Sequence, residues 1–177
     1  MELITKLENM VAGWLKPIPS LPKNVQKWLA ENVWWLALVS AILTGISILL
    51  TLGAIATYTT YSAGLDAAYG SLGLASYAPG WIVGVIVSLI FSAVIVLLTA
   101  MAIKPLKDLN HKGWSLLFVI YAVSAVNVVV NAIFSFSIIG FIFGIIFGAV
   151  GLAIGGYFLF QIKSYFGSTA KAKHVTK

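Results

Sequence analysis

The sequence contains no cysteine and no arginine among its 177 residues, and only 9% of the residues are charged. Without cysteine the chain cannot form a disulfide, use a thiol nucleophile or build a cysteine metal site. Without arginine it lacks the guanidinium fork that often binds phosphates and nucleic acids. Roughly a quarter of the residues in a soluble domain are charged. This composition is therefore far from that of an ordinary soluble protein.

Hydrophobic residues make up 60% of the chain and occur in long uncharged runs. A helix needs about 20 apolar residues to cross a hydrocarbon core about 30 Å thick. The uncharged run over 113–162 is too long for one crossing, so we expect a turn at about 135–139. The runs predict an all-α integral membrane protein, a bundle of four transmembrane helices. The predicted spans are about 33–57, 81–103, 114–134 and 139–162.

The segments outside these spans have distinct characters. Residues 1–32 begin with an amphipathic pattern that predicts a short helix in the cytoplasmic lipid interface, although the same face could pack on protein instead. A proline-rich break follows, and we expect a new helix to start near Pro22. Loops are predicted at 58–80 and 104–113. The basic tail at 163–177 is expected to be disordered.

All eleven basic residues are lysines, and the four-span arrangement places all of them on one side. The positive-inside rule assigns that side to the cytoplasm. We therefore expect both termini to be cytoplasmic, in a plasma or inner membrane, with the lysines facing anionic lipid head groups rather than nucleic acid. Tryptophan prefers the membrane interface. The expected membrane anchors are Trp14, Trp34, Trp35, Trp81 and Trp114.

Five glycines recur along the fourth predicted span at steps of four, four, three and four residues. At about 100° per residue they fall within roughly 80° on one helix face. Glycine lets helix backbones approach closely in a membrane. The expected contacts for helix packing or oligomerisation are Gly140, Gly144, Gly148, Gly151 and Gly155.

The other three predicted spans each carry a stripe of small or weakly polar residues. Such residues can form hydrogen bonds between helices or line a polar pathway, and both interpretations remain open. The stripes include Ser47 and Thr51 in the first span and Gly84 in the second. The residues chosen as candidates for these roles are Asn127, Asn131, Ser124, Ser40, Thr44, Ser88 and Ser92.

Ionisable side chains are missing where a pump or an enzyme would need them. No Asp, Glu, Lys or His falls within a predicted span, although proton relays usually place one there. The sequence also has no recognisable metal-ligand spacing or nucleotide-binding motif. We therefore predict that the protein is not an enzyme and uses neither a metal nor a cofactor. A lipid-modifying enzyme would require residues such as Asp66, Tyr61 and Tyr77 to converge.

The leading functional hypothesis is a non-enzymatic assembly, scaffold or accessory module in the lipid bilayer. It would associate with its own copies or with other membrane proteins through the glycine-rich face. The alternative is a small channel or facilitative transporter for an ion or small polar solute. That role would use the Ser, Thr and Asn faces of the other helices.

Overall fold

The computed structural model describes residues 2–15, 17–70, 81–134 and 138–167. Those residues form five α-helices and one short 3-10 helix, and they contain no strand. The 3-10 helix covers Lys163–Tyr165. In chain order the α-helices are α1 (Glu2–Leu15), α2 (Lys23–Tyr69), α3 (Trp81–Lys107), α4 (His111–Ile133) and α5 (Ile138–Ile162).

Four of these helices, α2 to α5, are long and apolar enough to cross a membrane. Consecutive helices pack on each other, α2 on α3, α3 on α4 and α4 on α5, whereas α2 contacts α5 much less. The prediction of an all-helical bundle with four long apolar helices is confirmed. The turn expected near 135–139 falls between α4 and α5, since these helices end and begin at Ile133 and Ile138.

Helix α2 is longer than the sequence predicted. It begins directly after Pro22, as expected, but continues to Tyr69, so the loop predicted over 58–80 is wrong for 58–69. At 47 residues the helix is about 70 Å long. Hydroxyls in its last part bond back to their own helix, for example Thr60 Oγ1 to the Ala56 oxygen at 2.9 Å. Such bonds satisfy Thr and Ser side chains without ending a helix. Residues 71–80 lie outside the described residues.

The connection between α3 and α4 is tighter than the predicted loop over 104–113, because both helices extend into that range. Leu109 has a left-handed φ of 50°, and the next amide, that of Asn110, donates to the Pro105 oxygen at 2.9 Å. The Asn110 side chain then caps α4 by accepting from the Lys112 amide at 3.0 Å. The chain therefore reverses within three residues, 108–110.

Gly113 allows the first turn of α4 to lie against the end of α3. A Cβ at this position would be 2.7 Å from the Leu106 nitrogen and 2.8 Å from the Pro105 carbonyl carbon. Both are backbone atoms that cannot rotate away. The close approach of the two helices therefore requires glycine here.

Trp114 lies inside the bundle, with 1% of its surface exposed. Its Nε1 donates to the Leu159 oxygen of α5 at 3.0 Å, and its ring stacks on Phe118 at a centroid distance of 5.7 Å. The indole N–H of Trp114 therefore finds a carbonyl partner inside the protein. The role of Trp114 as a membrane anchor stays a prediction.

Trp114 belongs to a buried apolar group at one end of the bundle, which we call the core cluster. Here the beginnings of α2 and α4 meet the ends of α3 and α5. We call this the lysine-rich end, because Lys23, Lys107 and Lys112 lie on the same parts of these helices. The core cluster consists of Ala30, Ala37, Ala102, Leu106, Trp114, Phe118, Leu159, Ile162 and Phe166.

The chain after α5 folds back onto this end. Phe166 is 4% exposed and belongs to the core cluster, and the Gly167 amide donates to the Leu109 oxygen at 3.2 Å. The prediction of a disordered tail is therefore wrong for 163–167. Residues 168–177 lie outside the described residues.

Helix α1 contacts the bundle through its middle. Leu7 packs against the core cluster, and the Glu8 carboxylate pairs with Lys163. These contacts favour the packing of α1 on protein, which the sequence left open as an alternative. Trp14, near the end of α1, is 69% exposed, and the interfacial position predicted for α1 stays a prediction.

We expect Gly113→Ala to lower the thermal unfolding midpoint of the purified protein. The added methyl group would overlap the α3 backbone, and overpacking of this kind costs about 1–3 kcal/mol. Gly53→Ala is the matched control, because a Cβ at Gly53 has no heavy atom within 4 Å. An unchanged midpoint for Gly113→Ala would contradict the close approach described above.

Candidate functional site

A cleft of about 430 Å³ lies between α2, α3 and α4, and we call it the polar cleft. It sits beside the first half of α3 and the last turn of α4, away from the lysine-rich end. Several hydroxyl and amide side chains from these three helices reach it. The lining residues are Ser47, Ile48, Thr51, Gly84, Val85, Ser88, Leu89, Ser92, Asn131 and Phe134.

Helical spacing explains why the polar groups face the cleft together. Gly84, Ser88 and Ser92 occur at steps of four along α3, and Ser47 and Thr51 are four apart on α2. Residues three or four apart lie on the same helix face. Helices α2 and α3 therefore each present a short row of small or polar residues to the cleft.

A hydrogen-bonded chain connects α3 and α4 across the cleft. Ser88 Oγ lies 2.5 Å from Asn131 Oδ1 and 2.8 Å from the Gly84 oxygen. Asn131 Nδ2 in turn donates to Asn127 Oδ1 at 2.7 Å and to the Asn127 backbone oxygen at 2.9 Å. Ser88, Asn127 and Asn131 therefore form the interhelical contact that the sequence proposed as one of two roles.

The cleft offers mainly hydrogen-bond acceptors. Ser47 and Thr51 each donate their hydroxyl hydrogen to a backbone oxygen of α2, at 2.9 and 2.8 Å. Ser88 also uses its hydrogen in the contacts above, so the lone pairs of these oxygens remain available. Ser92 makes no hydrogen bond with the residues that the structure describes. No lining residue carries a charge, so the cleft suits a neutral hydrogen-bond donor or a cation better than an anion.

Gly84 and Phe134 set the width of the cleft at the end of α4. A Cβ on Gly84 would lie 2.6 Å from the Cβ of Phe134. Phe134 was not among the predicted candidates, because an aromatic residue at the end of a predicted span has no distinctive spacing. Ser47 and Thr51 belong to a predicted stripe but were not chosen, since sequence spacing cannot show which part of a stripe meets a neighbouring helix.

Four predicted candidates lie outside the cleft lining, and one of them, Asn127, is connected to it through Asn131. Thr44 Oγ1 donates to the Ser40 oxygen at 2.8 Å, and Ser124 Oγ donates to the Ile120 oxygen at 2.8 Å. These hydroxyls are satisfied within their own helices. The structure thus brings together Ser88, Ser92, Asn127 and Asn131 but leaves Ser40, Thr44 and Ser124 apart.

The polar cleft does not extend into the lysine-rich end. There the core cluster fills the interior, and Ala30, Ala102 and Leu106 have no exposed surface. Thr99, the buried polar residue of α3, bonds to its own helix through the Ile95 oxygen at 2.6 Å. The bundle therefore has a polar, open half and an apolar, filled half.

The predicted glycine face divides into two parts. A Cβ on Gly144 would lie 3.6 Å from Ala132 Cβ, and one on Gly148 would overlap Val128, both on α4 of the same chain. These two glycines form the packing seam between α4 and α5. Gly156, which was not among the candidates, also approaches α4, with its would-be Cβ 2.9 Å from the Tyr121 hydroxyl.

Gly151 and Gly155 have no neighbouring heavy atom within 4 Å of a would-be Cβ. They share the helix face of Gly144 and Gly148 by spacing, but at their level α5 meets α4 through a neighbouring face, at Gly156. Gly140 is half-buried. The open part of the glycine face is therefore confined to Gly151 and Gly155 among these positions.

The predicted tryptophan anchors also occupy different environments. Trp35 is 38% exposed, and its Nε1 bonds to Asn32 Oδ1 at 3.1 Å. Trp34 is half-buried, and the Lys107 ammonium lies 5.2 Å from its ring centroid, a cation–π contact. The side chain of Trp81 lies outside the described part of the structure.

A metal site and an enzymatic site on lipid are the two other kinds of site that the side chains of the described helices could form. No group of three His, Cys, Asp or Glu among them could hold a metal ion. Tyr61 and Asp66 lie on the last part of α2, where Tyr61 is 67% exposed. Tyr77 lies outside the described residues, so the convergence expected of a lipid-modifying enzyme stays untested.

No protein-family model, curated protein or solved structure matches this chain.

Proposed function

We propose that this protein crosses a membrane four times, with α2 to α5 as the spans. The surfaces of these helices support the proposal, because large apolar side chains remain exposed along them, such as Leu49 and Leu50 at 70% and Phe147 at 68%. In water this exposure would be costly, whereas lipid solvates it. The length of α2 would carry its last part beyond the hydrocarbon core.

The lysine-rich end is the cytoplasmic side in this proposal, in a plasma or inner membrane. The ends of α3 and α5 and the beginnings of α2 and α4 lie together there, and the lysines of the described bundle are on those parts. Positive residues favour the cytoplasmic side during insertion. Both ends of the described chain would then be cytoplasmic.

We propose that the protein is a non-enzymatic facilitative carrier that binds a small polar solute in the polar cleft. The observation that carries this proposal is the convergence of hydroxyl and amide groups from three helices on a cleft of about 430 Å³. Ligand pockets generally have volumes of about 300–1,000 Å³. The free acceptors favour a solute that donates hydrogen bonds, or a monovalent cation. Of the two functions predicted from the sequence, the transporter is therefore better supported than the assembly module.

A carrier agrees with the geometry better than an open channel does. The core cluster fills the bundle between the polar cleft and the lysine-rich end, whereas a pore needs a continuous polar path. A carrier exposes its site to one side at a time. The cleft would correspond to the state that is open away from the cytoplasm.

Assembly through the glycine face is the second candidate. The open space beside Gly151 and Gly155 favours it, because a neighbouring helix could approach the backbone of α5 there. Gly144 and Gly148 cannot serve this purpose, since α4 of the same chain already covers them. An association surface would therefore be smaller than the sequence suggested.

The orientation can be tested by single-cysteine labelling, because the chain has no cysteine of its own. Ser20→Cys and Ala67→Cys place a thiol at exposed positions before and near the end of α2. We expect a membrane-impermeant maleimide to label Ala67→Cys in intact cells and Ser20→Cys only after permeabilisation. Labelling of both variants in intact cells would contradict the proposed orientation.

Transport can be tested in proteoliposomes with water, glycerol, urea, methylammonium and potassium as separate probes. We expect flux of at least one probe above that of empty liposomes, and a loss of about tenfold in Asn131→Leu, the effect of about one lost hydrogen bond. Ser92→Val tests the cleft without breaking a hydrogen bond seen in the structure, and Ser40→Ala is the control outside the cleft. Flux no higher than in empty liposomes for all five probes would reject the carrier.

Assembly can be tested by the mass of the protein in detergent, compared with 19.0 kDa for one chain. If α5 mediates association, Gly151→Leu should shift the protein toward that mass, because leucine would hold a second helix away. Gly53→Leu is the control, since Gly53 also faces open space. A single-chain mass for the unchanged protein would exclude a stable homo-oligomer.

A further inference from the structure

A second cleft, also about 430 Å³ in volume, lies between α2, α4 and α5. We call it the apolar cleft, because its lining is aliphatic and aromatic apart from the hydroxyl of Tyr121. Leu29, Val33 and Leu36 form its wall on α2, and Gly155 and Phe158 form part of the wall on α5. It is separate from the polar cleft, with which it shares no lining residue.

The apolar cleft exists because α2 and α5 meet at one end only. Gly155 contributes no side chain, and a Cβ there would meet no heavy atom within 4 Å. The wall on α2 runs from Leu29 to Leu36, a length of about 10 Å along the helix. An apolar cavity of this kind does not hold ordered water, so a bilayer would fill it with hydrocarbon.

Polar groups lie at the lysine-rich end of the cleft. Gln26 Nε2 donates to Gln161 Oε1 at 2.9 Å and to the Leu21 oxygen at 2.8 Å, which uses both of its hydrogens. The same Gln161 oxygen accepts from the Leu21 amide at 3.3 Å. Gln26 is one turn before Leu29 on α2, and Gln161 is next to Ile162 of the lining. The amides therefore mark the level at which the apolar wall ends.

Unbalanced positive charge lies at the same level. Lys23 is exposed, one turn before Gln26, and it makes no ion pair with the residues that the structure describes. The nearby Lys27 lies 3.8 Å from Glu31, and Lys163 pairs with Glu8. Lys23 is thus the cation left to meet an anion beside the cleft.

We propose that the apolar cleft binds one acyl chain of an anionic phospholipid, with its phosphate group beside Lys23. This inference rests on the membrane insertion proposed above but not on the carrier. The arrangement fits an amphiphile, because an apolar groove ends at amides and an unpaired cation at the cytoplasmic head-group level.

The proposal can be tested by native mass spectrometry of the protein after reconstitution in equal amounts of phosphatidylglycerol and phosphatidylcholine. We expect the unchanged protein to retain phosphatidylglycerol preferentially. Lys23→Gln should weaken that retention about fivefold, the value of one lysine near an anionic surface. Because Lys23 is exposed, this variant should fold normally, and its helix content can be checked by circular dichroism.

Gly155→Leu tests the groove itself, since leucine would occupy the space for the acyl chain. We expect it to abolish lipid retention, whereas Gly151→Leu, one turn away and outside the lining, should retain the lipid. Equal retention of both lipids by the unchanged protein would overturn the proposal. So would unchanged retention in Gly155→Leu, or a second copy of the chain bound in place of lipid.

Carbonate extraction of the same variants separates this inference from the proposal on which it rests. Protein released from membranes by carbonate would refute membrane insertion, whatever lipid is retained. Protein that stays in the membrane and shows no preference for phosphatidylglycerol would refute the lipid site alone.

Discussion

The bundle depends on the close contact between the first turn of α4 and the end of α3. Gly113 leaves room for the α3 backbone, and the next residue, Trp114, is thereby placed inside the bundle. Its indole N–H then bonds to the Leu159 oxygen of α5. A buried indole without a partner would be costly, so this bond joins α5 to the α3–α4 pair at a defined level. The same end also receives Phe166 from the segment after α5.

This concentration of packing at one end explains the polar cleft. Beyond the core cluster, small and polar side chains replace the large aromatic ones, and α2, α3 and α4 enclose the polar cleft. The bond between Ser88 and Asn131 joins α3 and α4 there, one turn from the close approach of Gly84 and Phe134. Interhelical hydrogen bonds of this kind contribute about 0.6 kcal/mol on average in membranes. That is small compared with the burial of Trp114 and Phe118, so this half of the bundle is the one better suited to open and close around a solute.

The same contrast separates the two proposed ligands. The polar cleft offers uncharged acceptors and lies away from the lysines, so it suits a small solute arriving from outside. The apolar cleft ends at Gln26 and Lys23, so it suits a lipid held at the cytoplasmic surface. A lipid between α2 and α5 would join two helices that contact each other much less than consecutive helices do, and it would support the arrangement in which the polar cleft is open.

Much of the architecture could be predicted from the sequence, because it depends on the solvent that each segment prefers. Uncharged runs bounded by lysines are enough to indicate four long apolar helices and the turn near 135–139. Steps of three and four residues are enough to indicate which side chains share a face, as with Asn127 and Asn131. Helix ends were harder to predict. The extension of α2 to Tyr69 and the folded segment at 163–167 depend on hydrogen bonds and contacts that composition does not reveal.

The sequence by itself determined that this chain forms four long apolar helices, each with one face of small or polar residues. Only the tertiary structure decided how those faces are used. It buried Trp114, paired Gly148 with Val128 and left Gly151 and Gly155 open. The physical reason is that a repeat along one helix specifies a face, whereas the positions at which two helices approach or diverge depend on the side chains of both.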